Sequence, residues 1–221
     1  MLCPYKSRRA MEGPPCTGAY GSSQVIRLPN HDIHLSDGQV RLRPFTEADL
    51  DTVARWFTDP EVMYYADSAE HPSYTRDEME GIYRGVAEEW GGLLFIIESE
   101  AGHVIGETWL QQMNLERGRE QPPDRAWRID IAIGEKEYWG RGYGRRAVRL
   151  LMRYAFEELA ADRLAGMAVF EFNERSLRMF RACGMRLVRR VPDRIARGGT
   201  LFAELDLEIT REEWLEGRQG G

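Results

Sequence analysis

Gly140, Gly142 and Gly144 stand at alternate positions, with Trp139, Arg141, Tyr143 and Arg145 between and beside them. Glycine lets the backbone take φ > 0 and brings N–H groups to a ligand with no Cβ in the way. The residues after the loop read as a helix, whose first turn has free N–H donors and the positive end of a dipole. Together these parts make a site for phosphate or pyrophosphate. The charges agree. Arg141, Arg145, Arg146, Arg149 and Arg153 all fall between Tyr138 and Phe156, and no acid does. That is the wrong order for a helix stabilised by its own dipole, which prefers acids first by roughly 0.3–1 kcal/mol per charge. A polyanion at the helix start makes it sensible.

The loop needs elements to hold it. Ile129, Ile131 and Ile133 alternate with Asp130 and Ala132 and predict a strand, Trp127–Ile133, running into the loop. The following helix extends to about Ala160. Earlier in the chain, Val40–Arg43 alternates as a strand, and Thr46 to Asp49 resembles a capping box opening a helix through Phe57. Asp59-Pro60 ends that helix. Glu61–Ser73 reads as an aromatic, acidic connection, and a second helix runs from Thr75 to Trp90 with Met79, Ile82, Tyr83 and Val86 inward. Leu93–Glu98 and Val104–Met113 form a hairpin. Asn114–Arg125 is an exposed loop. Arg163–Phe170 is a strand reached by a crossover, which predicts parallel pairing with Trp127–Ile133. A short helix over Ser176–Cys183 and a hairpin of Met185–Val191 with Thr200–Ile209 close the fold. The order β-α-α-β-β-β-α-β-α-β-β is α+β: a mixed, mostly antiparallel sheet with helices on its faces. Residues 1–37 read as a flexible extension with one short strand near Val25–Leu28. Residues 38–215 form the domain and 216–221 a frayed tail.

The chain has 221 residues, 43% hydrophobic and 30% charged, with a net charge of −6. This suits one globular domain and argues against broad nucleic-acid binding. No apolar run is long enough for a membrane span, and no apolar segment follows the basic start as in a signal peptide. Three scattered cysteines, Cys3, Cys16 and Cys183, fit a reducing compartment, hence the cytoplasm. His31, Asp32 and His34 lack further metal partners nearby, so no metal is expected. Gly142-x-Gly144-x-x-Ala147 also fits a dinucleotide fingerprint, but the repeated βαβ units of that fold are missing.

The strand, the Tyr138-Trp139-Gly140-Arg141-Gly142-Tyr143-Gly144 loop and its helix, Asn173-Glu174-Arg175-Ser176, and Phe180-Arg181-Ala182-Cys183-Gly184-Met185 together resemble the GNAT-superfamily N-acetyltransferases. The likeness spans roughly 38–215 and is nearest to the RimJ/RimL-like branch. It implies the GNAT acyl-CoA N-acyltransferase fold, with a splayed parallel pair opening between Ile133 and Met167. Acetyl-CoA is the implied donor, transferring directly in a ternary complex to a primary amine: a protein N-terminus, a polyamine or an aminoglycoside. The chain itself is expected to be a monomer or homodimer. Residue by residue, the resemblance implies that Ile131 and Ile133 offer backbone N–H and C=O groups to the pantetheine arm. Trp139, Gly140, Arg141, Gly142, Tyr143, Gly144 and Arg145 hold the pyrophosphate, and Asn173 contacts the arm near the thiol. Phe180 is implied as a further cofactor contact; it stands where many members carry a tyrosine that protonates the leaving thiolate, and a phenyl ring cannot donate a proton. That departure keeps open a degenerate acyl-CoA-binding sensor or interaction module.

An acceptor amine must lose a proton before it attacks, and a lysine-type amine has a pKa near ~10.4, so a base is useful. Asp130 is one candidate: an acid in mid-strand, facing away from Ile129, Ile131 and Ile133. A salt bridge with Arg128 is its structural alternative. The Ile129-Asp130 pair also resembles the aminoglycoside 6′-N-acetyltransferases, where an acid at that distance from the loop is functional. Glu107, early in the preceding strand, is the second candidate. Tyr64, Tyr65, Asp67 and Glu70 could form an aromatic, acidic wall for a cationic amine.

Overall fold

The computed structural model describes residues 28, 30–69, 73–89, 91–113 and 125–219. Among these residues eight strands form a single sheet: β1 (Leu35–Ser36), β2 (Val40–Pro44), β3 (Leu93–Ser99), β4 (Val104–Gln112), β5 (Ala126–Ile133), β6 (Arg163–Phe170), β7 (Arg186–Arg197) and β8 (Thr200–Thr210). Their order is β1-β2-β3-β4-β5-β6-β8-β7, and every neighbouring pair is antiparallel except β5 with β6.

Alternation sends the strand side chains to two cores. Phe95 and Ile97 of β3 go to one face with Ile105, Leu110, Ile129 and Leu164. That face is covered by α4 (Tyr143–Glu157), whose Ala147, Val148, Leu150, Leu151, Ala155 and Phe156 recur at helical spacing and are buried. Next to it packs α5 (Glu174–Ala182). Leu94 and Ile96 go to the other face with Trp109. There they meet α1 (Leu50–Trp56), α2 (Pro60–Ala66) and α3 (Arg76–Glu89) through Val53, Trp56, Met63, Met79 and Tyr83. A closing helix, α6 (Arg211–Gln219), follows β8.

The expected capping box is present: Asp49 accepts from the Thr46 N–H at 2.8 Å. Asp59-Pro60, by contrast, opens a helix. Asp59 caps it, accepting from the Glu61 and Val62 N–H groups, and Pro60 occupies the first turn, where its missing donor costs nothing. The supposed connection therefore carries α2. Residues 30–37, expected in the extension, dock on the sheet. His31 Nε2 bonds the Leu94 carbonyl at 2.9 Å, its ring lies 4.5 Å from Phe95, and β1 pairs with β2. The strand expected near Val25–Leu28 and the loop Asn114–Arg125 lie outside the described residues but for Leu28 and Arg125.

Between β5 and β6 the sheet opens. The strands pair only at Ala126–Arg163, Trp127–Leu164 and Arg128–Ala165, then diverge. On the far side, β6 slips register against β8 between Gly166 and Val169. Ala168 there has φ 52°, and its N–H donates to the Asp206 carboxylate at 2.8 Å. A bulge of this kind bends its strand, and here it accompanies the splay.

Candidate active site

The glycine loop lies at the mouth of this opening. Gly142, at φ 89°, directly precedes α4, a conformation that costs an L-residue about 1–2 kcal/mol. The first turn of α4 thus meets a cleft of about 580 Å³ that the whole loop from Trp139 to Arg145 lines. Tyr65, Ile131, Ile133, Asn173 and Arg175 line it as well.

Strand register decides which backbone groups face the opening. The Gly134 N–H donates to the Ile105 carbonyl, so the alternation of an antiparallel ladder turns Ala132 and Asp130 towards β4. Ile131 and Ile133 therefore present their N–H and C=O groups towards β6, beyond the last β5–β6 pair at Arg128. One of these groups is taken: the Trp139 indole N–H donates to the Ile133 carbonyl at 2.6 Å. The expectation that Ile133 offers both its groups is corrected accordingly. The same bond fixes the Trp139 ring at the loop entrance.

Arg175, which sequence reasoning passed over, sits with its guanidinium carbon 3.9 Å from the Trp139 ring centre and 4.4 Å from that of Tyr65. It joins α2 to the glycine loop across the cleft. The available signal was a cation in the first turn of a helix, where the dipole disfavours it. Asn173 lines the cleft but is also a cap: its Oδ1 accepts from the Ser176 N–H, and its Nδ2 donates to the Tyr65 carbonyl at 3.4 Å. Phe180 is a correction. It is 2% exposed and absent from the cleft wall. Helical spacing from Leu177 turns it to the core, against Gly166, where a Cβ would lie 2.7 Å from its Cζ.

The substrate-wall expectation divides. Tyr65 lines the cleft. Tyr64 does not; its ring rests on Phe172 at 5.1 Å. Asp67 is buried at 2% exposure, accepting from the Tyr74 hydroxyl and the Ala69 N–H, and so serves the turn after α2. Glu70 lies outside the described residues.

Asp130 and Glu107 project from the opposite face of the sheet to Ile131, and neither lines the cleft. Asp130 Oδ1 is 2.5 Å from Arg128 Nη2, the alternative anticipated above, yet its buried Oδ2 has no partner. Glu107 is 1% exposed and both its oxygens are unpartnered. Burial, and after it the charge of Asp130, hold the Glu107 carboxyl well above the usual carboxylate range. Cys183 is buried beside Arg145, and burial pushes its thiol up to about 11, which suits packing rather than attack. Among the described residues no three His, Cys, Asp or Glu side chains converge as metal ligands, and no helix is long and apolar enough to cross a membrane.

The model of the Acetyltransferase (GNAT) domain family matches residues 39–186, which include the splayed strands, the loop and α5. The chain belongs to the GNAT family. It is thus an N-acetyltransferase with an α+β GNAT fold. It is similar to the N-acetyltransferase p20 of Bacillus licheniformis, 27% identical over 128 residues that cover 57% of this chain and 67% of that one. Among solved structures it is similar to the spermidine N-acetyltransferase of Vibrio cholerae in complex with CoA and spermine: TM-score 0.68, 20% identity, 81% of this chain and 99% of that one. It is likewise similar to an aminoglycoside acetyltransferase in complex with coenzyme A: TM-score 0.67, 18% identity, 81% and 99%. At these identities the structural likenesses speak for the fold.

Proposed function

We propose that this GNAT protein moves the acetyl group of acetyl-CoA directly to a primary amine while both are bound. The observation that carries the reading is the unpaired edge of β5 at Ile131–Ile133, which leads straight to the glycine loop and the start of α4. The pantetheine arm adds to that edge like a short strand, bonding the Ile131 N–H and C=O and the Ile133 N–H. The pyrophosphate sits on the loop N–H groups and the first turn of α4, with Arg141 and Arg145 balancing its charge. Trp139 and Arg175 flank the arm.

The thioester then lies near Ala132, which lines the cleft on the face shared by Asp130 and Glu107. The amine nitrogen attacks the acetyl carbon, and a backbone N–H of β5 steadies the oxyanion. Asp130 takes the proton that the ammonium loses before attack, acting through its free Oδ2, and Glu107 shares that proton at higher pH. Because Phe180 has no hydroxyl and lies in the core, the thiolate takes the second proton, which the nitrogen sheds once it is acylated. The bond to nitrogen forms as the carbon–sulfur bond breaks, and free thiol leaves.

A small amine is the acceptor class supported by the polyamine and aminoglycoside enzymes of the same fold. The test is release of free thiol from acetyl-CoA by purified protein over a panel of amines. Amine-dependent release is expected. Protein that binds no acetyl-CoA, or binds it and releases no thiol with any amine, overturns the proposal.

A further inference from the structure

The face of β4 and β5 behind the cleft carries more polarity than catalysis requires. Arg128, Asp130 and Ala132 of β5 lie opposite Gln111, Trp109 and Glu107 of β4. Six buried atoms of this patch have no hydrogen-bond partner: Glu107 Oε1 and Oε2, Asp130 Oδ2, Arg128 Nε, Trp109 Nε1 and Gln111 Oε1. Protein interiors leave few such atoms, and those that remain ask for a ligand, an ion or water. Here donors and acceptors are both left over.

The charges narrow the ligand. Asp130 is matched by Arg128 at 2.5 Å, and the burial of Glu107 favours its neutral form. The patch is therefore near neutrality and offers little field to hold a polycation. A molecule with one ammonium and one carboxylate finds a partner for each. Asp130 Oδ2 and Glu107 accept from the ammonium, and the Arg128 guanidinium, whose Nε is unused, donates to the carboxylate.

Ala132 borders the cleft, and Asp130 and Arg128 follow it on the same face of β5. Asp130 Oδ1 and Arg128 Nη2 are 2.5 Å apart, so the groups that would take an ammonium and a carboxylate lie side by side. We infer that the acceptor is an amino-carboxylate, with its reacting amine beside Asp130 and Glu107 and its carboxylate held by the Arg128 guanidinium. Arg128 is then the specificity-determining residue. In the reaction the ammonium first loses one proton to Asp130, the nitrogen gains the acetyl carbon as the carbon–sulfur bond breaks, and the second nitrogen proton ends on the thiol; the carboxylate is unchanged. This inference rests on the acetyl-transfer reading above.

Matched acceptors test it: L-lysine against cadaverine, L-ornithine against putrescine, and 6-aminohexanoate against hexylamine, with spermidine as a further amine. In each pair the carboxylate-bearing member is expected to show a kcat/KM at least tenfold higher. Arg128→Gln should erase the difference while leaving acetyl-CoA affinity intact. Arg128→Lys should keep part of the preference, and it serves as the readout if Arg128→Gln does not fold. Equal or better use of the carboxylate-free partners, no use of any amino-carboxylate, or a preference unmoved by both variants overturns the inference. Turnover of spermidine or cadaverine alone would leave acetyl transfer standing and sink only the amino-carboxylate. Absence of acetyl-CoA binding would sink the acetyl-transfer reading itself.

Discussion

Strand β5 serves two regions that are built in opposite ways. Along its edge, Ile131 and Ile133 lead to a loop of backbone donors, an open cleft and a helix start. On its face, Asp130 and Arg128 sit with Glu107 among buried, partly unsatisfied side chains. The edge is assembled from groups every residue carries, so its requirements are conformational: glycines, a splay, a free helix end. The face depends on which side chains occupy three pairs of facing positions, and it accepts a cost in stability. An unsatisfied buried polar group costs about 1–3 kcal/mol. The edge is thus compatible with stability, whereas the face works against it.

The largest effect expected is on the edge. Gly142→Val must place a β-branched residue at φ 89°, a strain of at least about 1–2 kcal/mol that shifts the loop. Calorimetry should show acetyl-CoA affinity down at least about tenfold. Normal affinity would remove the loop from the cofactor site. Asp130→Asn tests the face alone: kcat should fall by about 10²-fold, as for loss of a general base, with acetyl-CoA affinity unchanged. A fall in cofactor affinity as well would merge the two regions.

Glu107→Gln tests the stability contrast. The folded-state pKa of Glu107 is raised, chiefly by burial and then by Asp130. Above the ordinary glutamate pKa the unfolded chain ionises first, so the native state loses stability as pH rises towards the raised value. The variant should therefore be more stable than wild type at neutral and alkaline pH, on the order of 1–3 kcal/mol. The gain should vanish near pH ~4. Denaturant midpoints against pH check this, and a gain independent of pH would contradict the raised pKa. Phe180→Tyr should cost about 1–2 kcal/mol, from a hydroxyl forced against β6 beside Gly166, and bring no increase in kcat. Faster turnover would return that residue to the thiolate. The smallest effect belongs to Trp139→Phe, which loses the bond to the Ile133 carbonyl. Acetyl-CoA affinity should weaken only several-fold, about 1 kcal/mol.

The contrast also explains what could be read beforehand. The glycine loop, the arginine-rich helix and the hairpins were legible because each depends on residues a few positions apart. Asp59-Pro60 was read only as the end of α1 because the same pair can follow one helix and start the next, and only the carboxylate accepting from Glu61 and Val62 reveals the second role. Phe180 was matched by its place in a motif, but the rotation of α5 turned it to the core. Arg175 was missed because its partners, Tyr65 and Trp139, come from distant parts of the chain.

By itself the sequence determined the alternation that sorts side chains to two faces, the parity that separates Asp130 from Ile131, and the φ > 0 positions of the loop. These follow from backbone geometry with periods of two and 3.6 residues. Tertiary structure alone decided where β5 and β6 part, which carbonyl Trp139 occupies, and that Asp130, Arg128 and Glu107 share one buried patch. Those outcomes depend on register between strands and on desolvation by neighbours far away in the chain, and no local pattern encodes either.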